Sequence, residues 1–202
     1  MTSLDWPQQL RTLRGAPING LSDDDFFELC RLNPELRLER TAQQDIMFRS
    51  PAGSGSSESS GENYGQLWLW NRQAQLGHVY ESSAGFKLPD TSVRSPDAAW
   101  LSNAAWEKLT PEQRSKFPPV CPEFMMELKS PSDALTDLQA KMQDYLANRM
   151  QLGFLLHIEA ETACVYRPGQ PTEIVRGYDQ ELSGEPVLPG FRLDLRPLRR
   201  AA

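Results

Sequence analysis

The segment 121–150 constrains the fold more than any other part of the chain, because a strand pattern leads directly into a helix pattern. Side chains of a strand alternate between its two faces, so the stretch FMMELK puts apolar residues on one face and Glu127 and Lys129 on the other. The next stretch, SPSDALTDLQAKMQDYLANRM, repeats apolar residues at helical spacing, and Ser132 or Asp133 can cap this helix. We therefore expect a sheet strand followed by a helix that packs on the core.

The other patterns predict one mixed α/β domain over residues 21–202, with a central sheet flanked by helices. The stretch LSDDDFFELCRLNP is typical of a helix that Ser22 caps and that ends before Pro34. Residues 1–20 are expected to form a loosely attached N-terminal arm. Further strands are expected in LRLER, QQDIMFRS, HVYESSAGFKLPDTSVRSPDAAWLS, GFLLHIEA, ACVYRP, TEIVR, LSGEP and FRLDL, and a helical insert in NAAWEKLTPEQRSKF.

The stretch PAGSGSSESSGEN, residues 51–63, predicts a flexible loop within this domain. Its glycine and serine residues bury little apolar surface. A linker between two domains is the alternative, but the flanking segments are too short for separate cores. The stretch YGQLWLWNRQAQLG that follows predicts a helix that ends at Gly77.

The composition excludes several classes of protein. A hydrophobic fraction of 39% and a charged fraction of 24% are typical of a soluble globular chain, and no apolar run approaches the roughly 18 residues of a membrane span. The 3 cysteines and 2 histidines occur in none of the spacings that bind zinc. The first 20 residues lack the apolar core of a secretory signal, so we expect a cytoplasmic protein with no membrane partner.

Two short motifs carry groups suited to phosphodiester chemistry. The stretch VRSPDAAWL contains Asp97, and 30 residues later FMMELKSPSD contains Glu127, Leu128 and Lys129. On adjacent strands, two carboxylates and a backbone carbonyl would form the hard oxygen set that Mg²⁺ takes, and a neighbouring lysine can activate a bound water. As a bare pattern this spacing is weakly specific, because Glu127 and Lys129 equally fit an exposed ion pair.

A longer collinear stretch resembles the Uma-two (Uma2) family of the PD-(D/E)XK nuclease superfamily, whose members are described as restriction endonucleases. The resemblance runs from about residue 21 to residue 198. The stretches that carry it are LSDDDFFELCRLNPELRLER, SPAGSGSSESSGENYGQLWLWNRQAQLG, AGFKLPDTSVRSPDAAWLS, CPEFMMELKSPSDALTDLQAKMQDYLANRMQLGFLL and VLPGFRLDLRPL. It implies a restriction-endonuclease-like fold, Mg²⁺ as the cofactor with Mn²⁺ as an alternative, and DNA as the substrate. By analogy, cleavage of two strands implies a homodimer.

The resemblance also implies roles for individual residues. Asp97 would be a bridging metal ligand, Glu127 a second ligand and the carbonyl of Leu128 a third. Glu39, at the position of an early glutamate of the family, would help to hold or orient the metal. Lys129 occupies the place of the catalytic lysine in the ExK motif.

Lys141 is a second candidate for the catalytic lysine. Many relatives lack a lysine at the position of Lys129, while relatives tend to carry one on the following helix, where Lys141 stands. The ordinary alternative pairs Lys141 with Asp137, four residues earlier, on an exposed helix face. The resemblance leaves open which lysine acts.

These patterns predict a Mg²⁺-dependent endonuclease that hydrolyses DNA phosphodiester bonds with a metal-activated water. The alternative is a nuclease-like module that binds protein or nucleic acid without cutting, since a fold does not establish an activity. The intact set of Asp97, Glu127 and Lys129 favours the enzyme. The formal net charge of -6 favours the alternative, because non-specific affinity for DNA comes from neutralising phosphates.

Overall fold

A computed structural model of the chain describes residues 11–13, 20–34, 36–49 and 53–199. The α-helices within them are α1 (Asp23–Leu32), α2 (Ser54–Ala74), α3 (Asn103–Glu107), α4 (Pro111–Ser115) and α5 (Leu135–Ala147). The strands are β1 (Arg11–Leu13), β2 (Arg37–Arg40), β3 (Ile46–Arg49), β4 (Gly77–Glu81), β5 (Phe86–Lys87), β6 (Val93–Arg94), β7 (Ala98–Ser102), β8 (Phe124–Leu128), β9 (Leu152–His157), β10 (Thr162–Tyr166), β11 (Glu173–Arg176), β12 (Glu181–Ser183) and β13 (Arg192–Asp194). None of the helices in these ranges is long and apolar enough to cross a bilayer.

The central sheet has six strands in the order β11-β10-β9-β8-β7-β4. Its strands β8 and β9 run parallel, while the other neighbours run antiparallel. A parallel pair needs a crossover connection, and α5 supplies it. This mixed sheet with flanking helices confirms the predicted fold class. Because β8 and β9 are parallel, their carboxyl ends meet at the same edge of the sheet.

Helix α5 covers one face of the central sheet. Its residues Leu138, Met142 and Tyr145 are buried against Met125 of β8 and Leu155 of β9. A glycine at position 153 permits this close packing, because a Cβ there would overlap the side chains of two methionines. Helix α5 is therefore packed tightly against the face of the sheet that carries Met125.

The predicted caps of α5 are wrong, because the helix begins after Ala134, which makes no side-chain capping bond. Asp133 instead accepts hydrogen bonds from the backbone N–H and the hydroxyl of Ser130, at 2.9 Å and 2.6 Å. Its carboxylate thus closes the turn that follows β8. At the other end of the chain, Ser22 caps α1 as predicted, since its hydroxyl accepts from the N–H of Asp25 at 3.1 Å.

Helix α2 covers the opposite face of the central sheet, and it corrects the predicted flexible loop at residues 51–63. Residues 54–63 form the first half of this helix, while 51 and 52 lie outside the described residues. The second half is anchored by Leu67 in the core and by Trp70, whose indole donates to the carbonyl of Pro189 at 3.0 Å. Extending a packed helix costs far less than nucleating one, so serine-rich sequence can continue it.

A second sheet has five strands in the order β1-β3-β2-β6-β5. Strand β1 pairs antiparallel with β3, so residues 11–13 of the predicted arm belong to this sheet. Residues 1–10 and 14–19 of the predicted arm lie outside the described residues. In the middle of the sheet, Arg40 of β2 pairs with Val93 of β6. This pairing brings Glu39 and Arg94 close together, although 55 positions separate them.

Asn63 offers a direct test of the packing of α2. Its side chain is 3% exposed, and neither its Nδ2 nor its Oδ1 hydrogen-bonds to any described residue. A buried polar group without a partner costs about 1–3 kcal/mol, so we expect Asn63→Leu to raise the free energy of unfolding by about 1 kcal/mol or more in urea denaturation.

Asn71 on the same helix is the matched control. Its amide donates to the carbonyl of Gly77 at 2.8 Å and accepts from the indole of Trp100 at 2.9 Å. Asn71→Leu removes both bonds, so it should lower the free energy of unfolding by about 1–3 kcal/mol. A loss of stability in both variants would contradict the placement of Asn63.

Candidate active site

Asp97 and Glu127 lie close together: Glu127 belongs to β8, and Asp97 directly precedes the neighbouring strand β7. Strand β7 pairs antiparallel with β8, with Ala98 opposite Met126. This pairing places Asp97, which directly precedes β7, beside the carboxyl end of β8. The backbone N–H of Leu128 donates to Oδ2 of Asp97 at 2.7 Å. The fold therefore brings together the two short motifs that the sequence separates.

Glu127 is fully buried, and α5 supplies two donors to its Oε1. The ammonium of Lys141 and the hydroxyl of Tyr145 each lie 2.8 Å from this oxygen. These two residues are four positions apart, so they share one face of the helix, and Nζ of Lys141 lies 5.6 Å from the centre of the Tyr145 ring. Lys141 is itself only 7% exposed. The orientation of Glu127 is thus set by one face of α5.

Glu39 of β2 is buried on the other side of the Lys141 ammonium. Its Oε1 accepts from Nζ of Lys141 at 2.8 Å and from the backbone N–H of Ser95 at 3.1 Å. Its Oε2 accepts from the guanidinium of Arg94 at 3.3 Å. Arg94 also pairs with Asp144 of α5 at 3.3 Å. Both oxygens of Glu39 therefore receive hydrogen bonds from protein donors.

The buried part of this group has as many acidic as basic side chains. It contains two acidic side chains, Glu39 and Glu127, and two basic side chains, Arg94 and Lys141. Burial raises the pKa of Tyr145 well above its usual value, and the charges of Glu127 and Glu39 raise it further, so the phenol keeps its proton at neutral pH and donates a hydrogen bond to Glu127. Burial alone would lower the pKa of Arg94, but the carboxylates beside it, that of Glu39 foremost, raise it.

Lys129 follows β8 at the same edge of the sheet. Its ammonium donates to the carbonyl of Ser130 at 3.1 Å, and its backbone N–H donates to the carbonyl of Leu156 at 2.8 Å. Its positive charge also lowers the pKa of His157, although burial is the larger cause of that shift. Lys141 supplies the ammonium that lies 2.8 Å from Oε1 of Glu127.

The oxygen atoms at this edge suit a hard divalent cation with few protein ligands. Mg²⁺ usually takes one or two carboxylates and keeps several waters, and Asp97, Glu127 and the carbonyl of Leu128 can provide such a set. Glu39 is less suited, because its oxygens already accept from three donors. Accordingly, the described residues contain no group of three or more His, Cys, Asp or Glu side chains arranged to hold a metal ion.

The alternative that paired Lys141 with Asp137 on an exposed face is wrong, because α5 turns Lys141 inward towards two buried carboxylates. Two members of the site were not predicted. Tyr145 follows Lys141 by four residues, so helical spacing was the signal that placed both on one face. Arg94 lies in the stretch VRSPD, but nothing local indicates that a strand far away in sequence supplies its partner Glu39.

Comparisons with known proteins identify the family of the chain. Residues 23–196 match a family described as "Uma2: Putative restriction endonuclease". The chain belongs to the Uma2 family. This match confirms the resemblance drawn from the sequence, and together with the fold it indicates a nuclease of the restriction-endonuclease-like type.

A solved structure also shares the fold of this Uma2 protein. A crystal structure from Anabaena variabilis ATCC 29413, described as that of "a putative nuclease belonging to DUF820", matches with a TM-score of 0.70 and 20% sequence identity. The match covers 88% of this chain and 97% of that chain. At this identity the likeness shows the fold alone. No curated protein matches the sequence.

Replacing Lys141 with Met should strongly destabilise the protein, because it leaves Glu39 and Glu127 buried without their shared ammonium. Removing one partner of a buried ion pair typically costs about 3–5 kcal/mol, and urea denaturation measures this loss. Lys129→Met is the matched control and should change the free energy of unfolding by less than about 0.5 kcal/mol. Equal effects of the two substitutions would contradict the assigned environment of Lys141.

Proposed function

We propose that this Uma2 protein is an endonuclease that hydrolyses DNA phosphodiester bonds with the help of Mg²⁺ or Mn²⁺. One observation carries the proposal: Asp97 accepts a hydrogen bond from the N–H of Leu128, next to Glu127, and the buried ammonium of Lys141 contacts Glu127. Membership of the family and the restriction-endonuclease-like fold support the same chemistry.

Asp97, Glu127 and the carbonyl of Leu128 would hold the cation. A divalent cation bound there activates a water for attack and offsets the negative charge of the phosphate. The protein orients its own ligands in advance, since Lys141 and Tyr145 fix Oε1 of Glu127, and the N–H of Leu128 fixes Oδ2 of Asp97. Carboxylates held in this way lose little freedom when a cation binds.

We assign the active-site ammonium to Lys141 and not to Lys129. Its Nζ lies beside a proposed cation ligand, where a fixed positive charge stabilises the charge that develops on a phosphate during hydrolysis. Glu39 holds this ammonium in place, and Arg94 in turn holds Glu39. Glu39 thus serves to position Lys141 and is not a cation ligand in this proposal.

Cutting both strands of a duplex requires two sites. The described residues of one chain bring together one such carboxylate pair, Asp97 and Glu127. We therefore propose that two copies of the chain act together on duplex DNA, as a homodimer.

Cleavage of supercoiled plasmid DNA tests the proposal. The wild-type protein should nick or linearise the plasmid with Mg²⁺ or Mn²⁺. Asp97→Asn and Glu127→Gln should lower the rate by about 100-fold or more, because each removes a charged ligand of the cation. Calorimetric titration with Mn²⁺ should show that the same variants lose cation binding. Unchanged Mn²⁺ binding by Asp97→Asn would contradict the assigned ligand set.

The two lysines are then compared at a temperature where circular dichroism shows that each variant is folded. Lys141→Met should reduce kcat by about 100-fold or more, as expected for loss of a preorganised charge, while Lys129→Met should keep kcat within about tenfold. A larger loss of kcat in Lys129→Met than in Lys141→Met would assign the catalytic role to Lys129. If the wild-type protein binds DNA but cuts none with either metal, a non-cleaving module replaces the enzyme.

A further inference from the structure

The parallel strands β8 and β9 end side by side and place two basic side chains together. Leu128 stands opposite Leu156 in their register. The N–H of Lys129 donates to the carbonyl of Leu156 at 2.8 Å, so the pairing continues for one residue beyond β8. Lys129 and His157 are consequently neighbours across the two strands.

Both side chains belong to the face of the sheet that carries the candidate active site. On β8, Met125 packs towards α5, and Glu127 and Lys129 follow it at steps of two residues. On β9, Leu155 packs towards α5 and His157 follows it in the same way. Two residues of a strand span about 7 Å, so a phosphate bound at Lys129 would lie near the phosphate proposed to lie at Asp97 and Glu127.

The accessibility and the charge of this pair suit an anionic ligand. Lys129 and His157 are partly exposed, whereas Lys141 and Glu127 are buried. Burial and the charge of Lys129 lower the pKa of His157, while Glu159 opposes this shift. The imidazole is therefore mainly neutral at pH 7 and can donate one N–H, next to an ammonium that supplies the charge.

We propose that Lys129 and His157 bind a phosphate group of the DNA backbone next to the phosphate that lies at Asp97 and Glu127. The inference rests on the proposed nuclease function and gives Lys129 a role in binding DNA. A contact of this kind positions the strand without reading bases, so it should add affinity that is independent of sequence. It also supplies a local cationic contact in a chain whose formal net charge is -6.

Binding is measured by fluorescence anisotropy with a labelled DNA duplex, in buffer with Ca²⁺ in place of Mg²⁺ so that binding is followed without cleavage. Lys129→Met and His157→Gln should each weaken binding by about fivefold or more, and Lys129→Met should lower the salt slope of log Kd by about one. The double variant should lose less than the product of the two single losses, because both residues hold one phosphate.

Two substitutions elsewhere are the matched controls. His78 stacks on Trp106 at 4.4 Å and pairs with Leu101, towards the end of β7 away from Asp97. Lys108 is exposed at the end of α3. His78→Gln and Lys108→Met should each change Kd by less than about twofold, because neither residue is placed near the proposed phosphate.

The outcomes separate this inference from the proposed function. Binding by Lys129→Met and His157→Gln that equals wild type, or equal weakening by the two control variants, would overturn it. So would a wild-type protein that does not bind the duplex. Weakened binding in a protein that never cuts DNA would reject the nuclease and keep the phosphate contact. Normal cleavage with an unchanged KM in His157→Gln would reject the contact and keep the nuclease.

Discussion

The ammonium of Lys141 joins the two large sheets of the molecule. It lies 2.8 Å from Glu39 in β2 of the five-stranded sheet and 2.8 Å from Glu127 in β8 of the six-stranded sheet. Arg94, from β6 of the five-stranded sheet, adds a contact to Glu39 at 3.3 Å. The candidate active site therefore lies where both sheets meet α5, and the position of Glu127 depends on this lysine.

Stability alone does not account for such a buried group of charges. Desolvating ions is costly, and a well-packed apolar set of similar volume is often equally stable or more stable, although removing one partner of an existing pair is strongly destabilising. The position of the group offers a better explanation. It orients Glu127 and holds an ammonium beside it, where the proposed nuclease would need a fixed charge.

Local patterns in the sequence predicted the strand and the helix that carry the site, but they did not predict the long-range contacts between its residues. The alternation in FMMELK and the helical spacing after it predicted β8 and α5, and the spacing of Asp97 from Glu127 was consistent with neighbouring strands. The partners of Lys141 could not be predicted in this way, because Glu39 lies 102 positions away on another sheet. Residues 54–63 were misassigned for the same reason, since the anchoring of Leu67 in the core decides that α2 continues through them.

Anomalous diffraction from crystals soaked in Mn²⁺ would test the central claim most directly, because it locates the cation without relying on activity. We expect a Mn²⁺ peak within coordinating distance of Asp97 and Glu127, with Lys141 still paired to Glu39. A peak at Glu39 that displaces Lys141, or no peak beside Asp97 and Glu127 at saturating Mn²⁺, would contradict the proposed site.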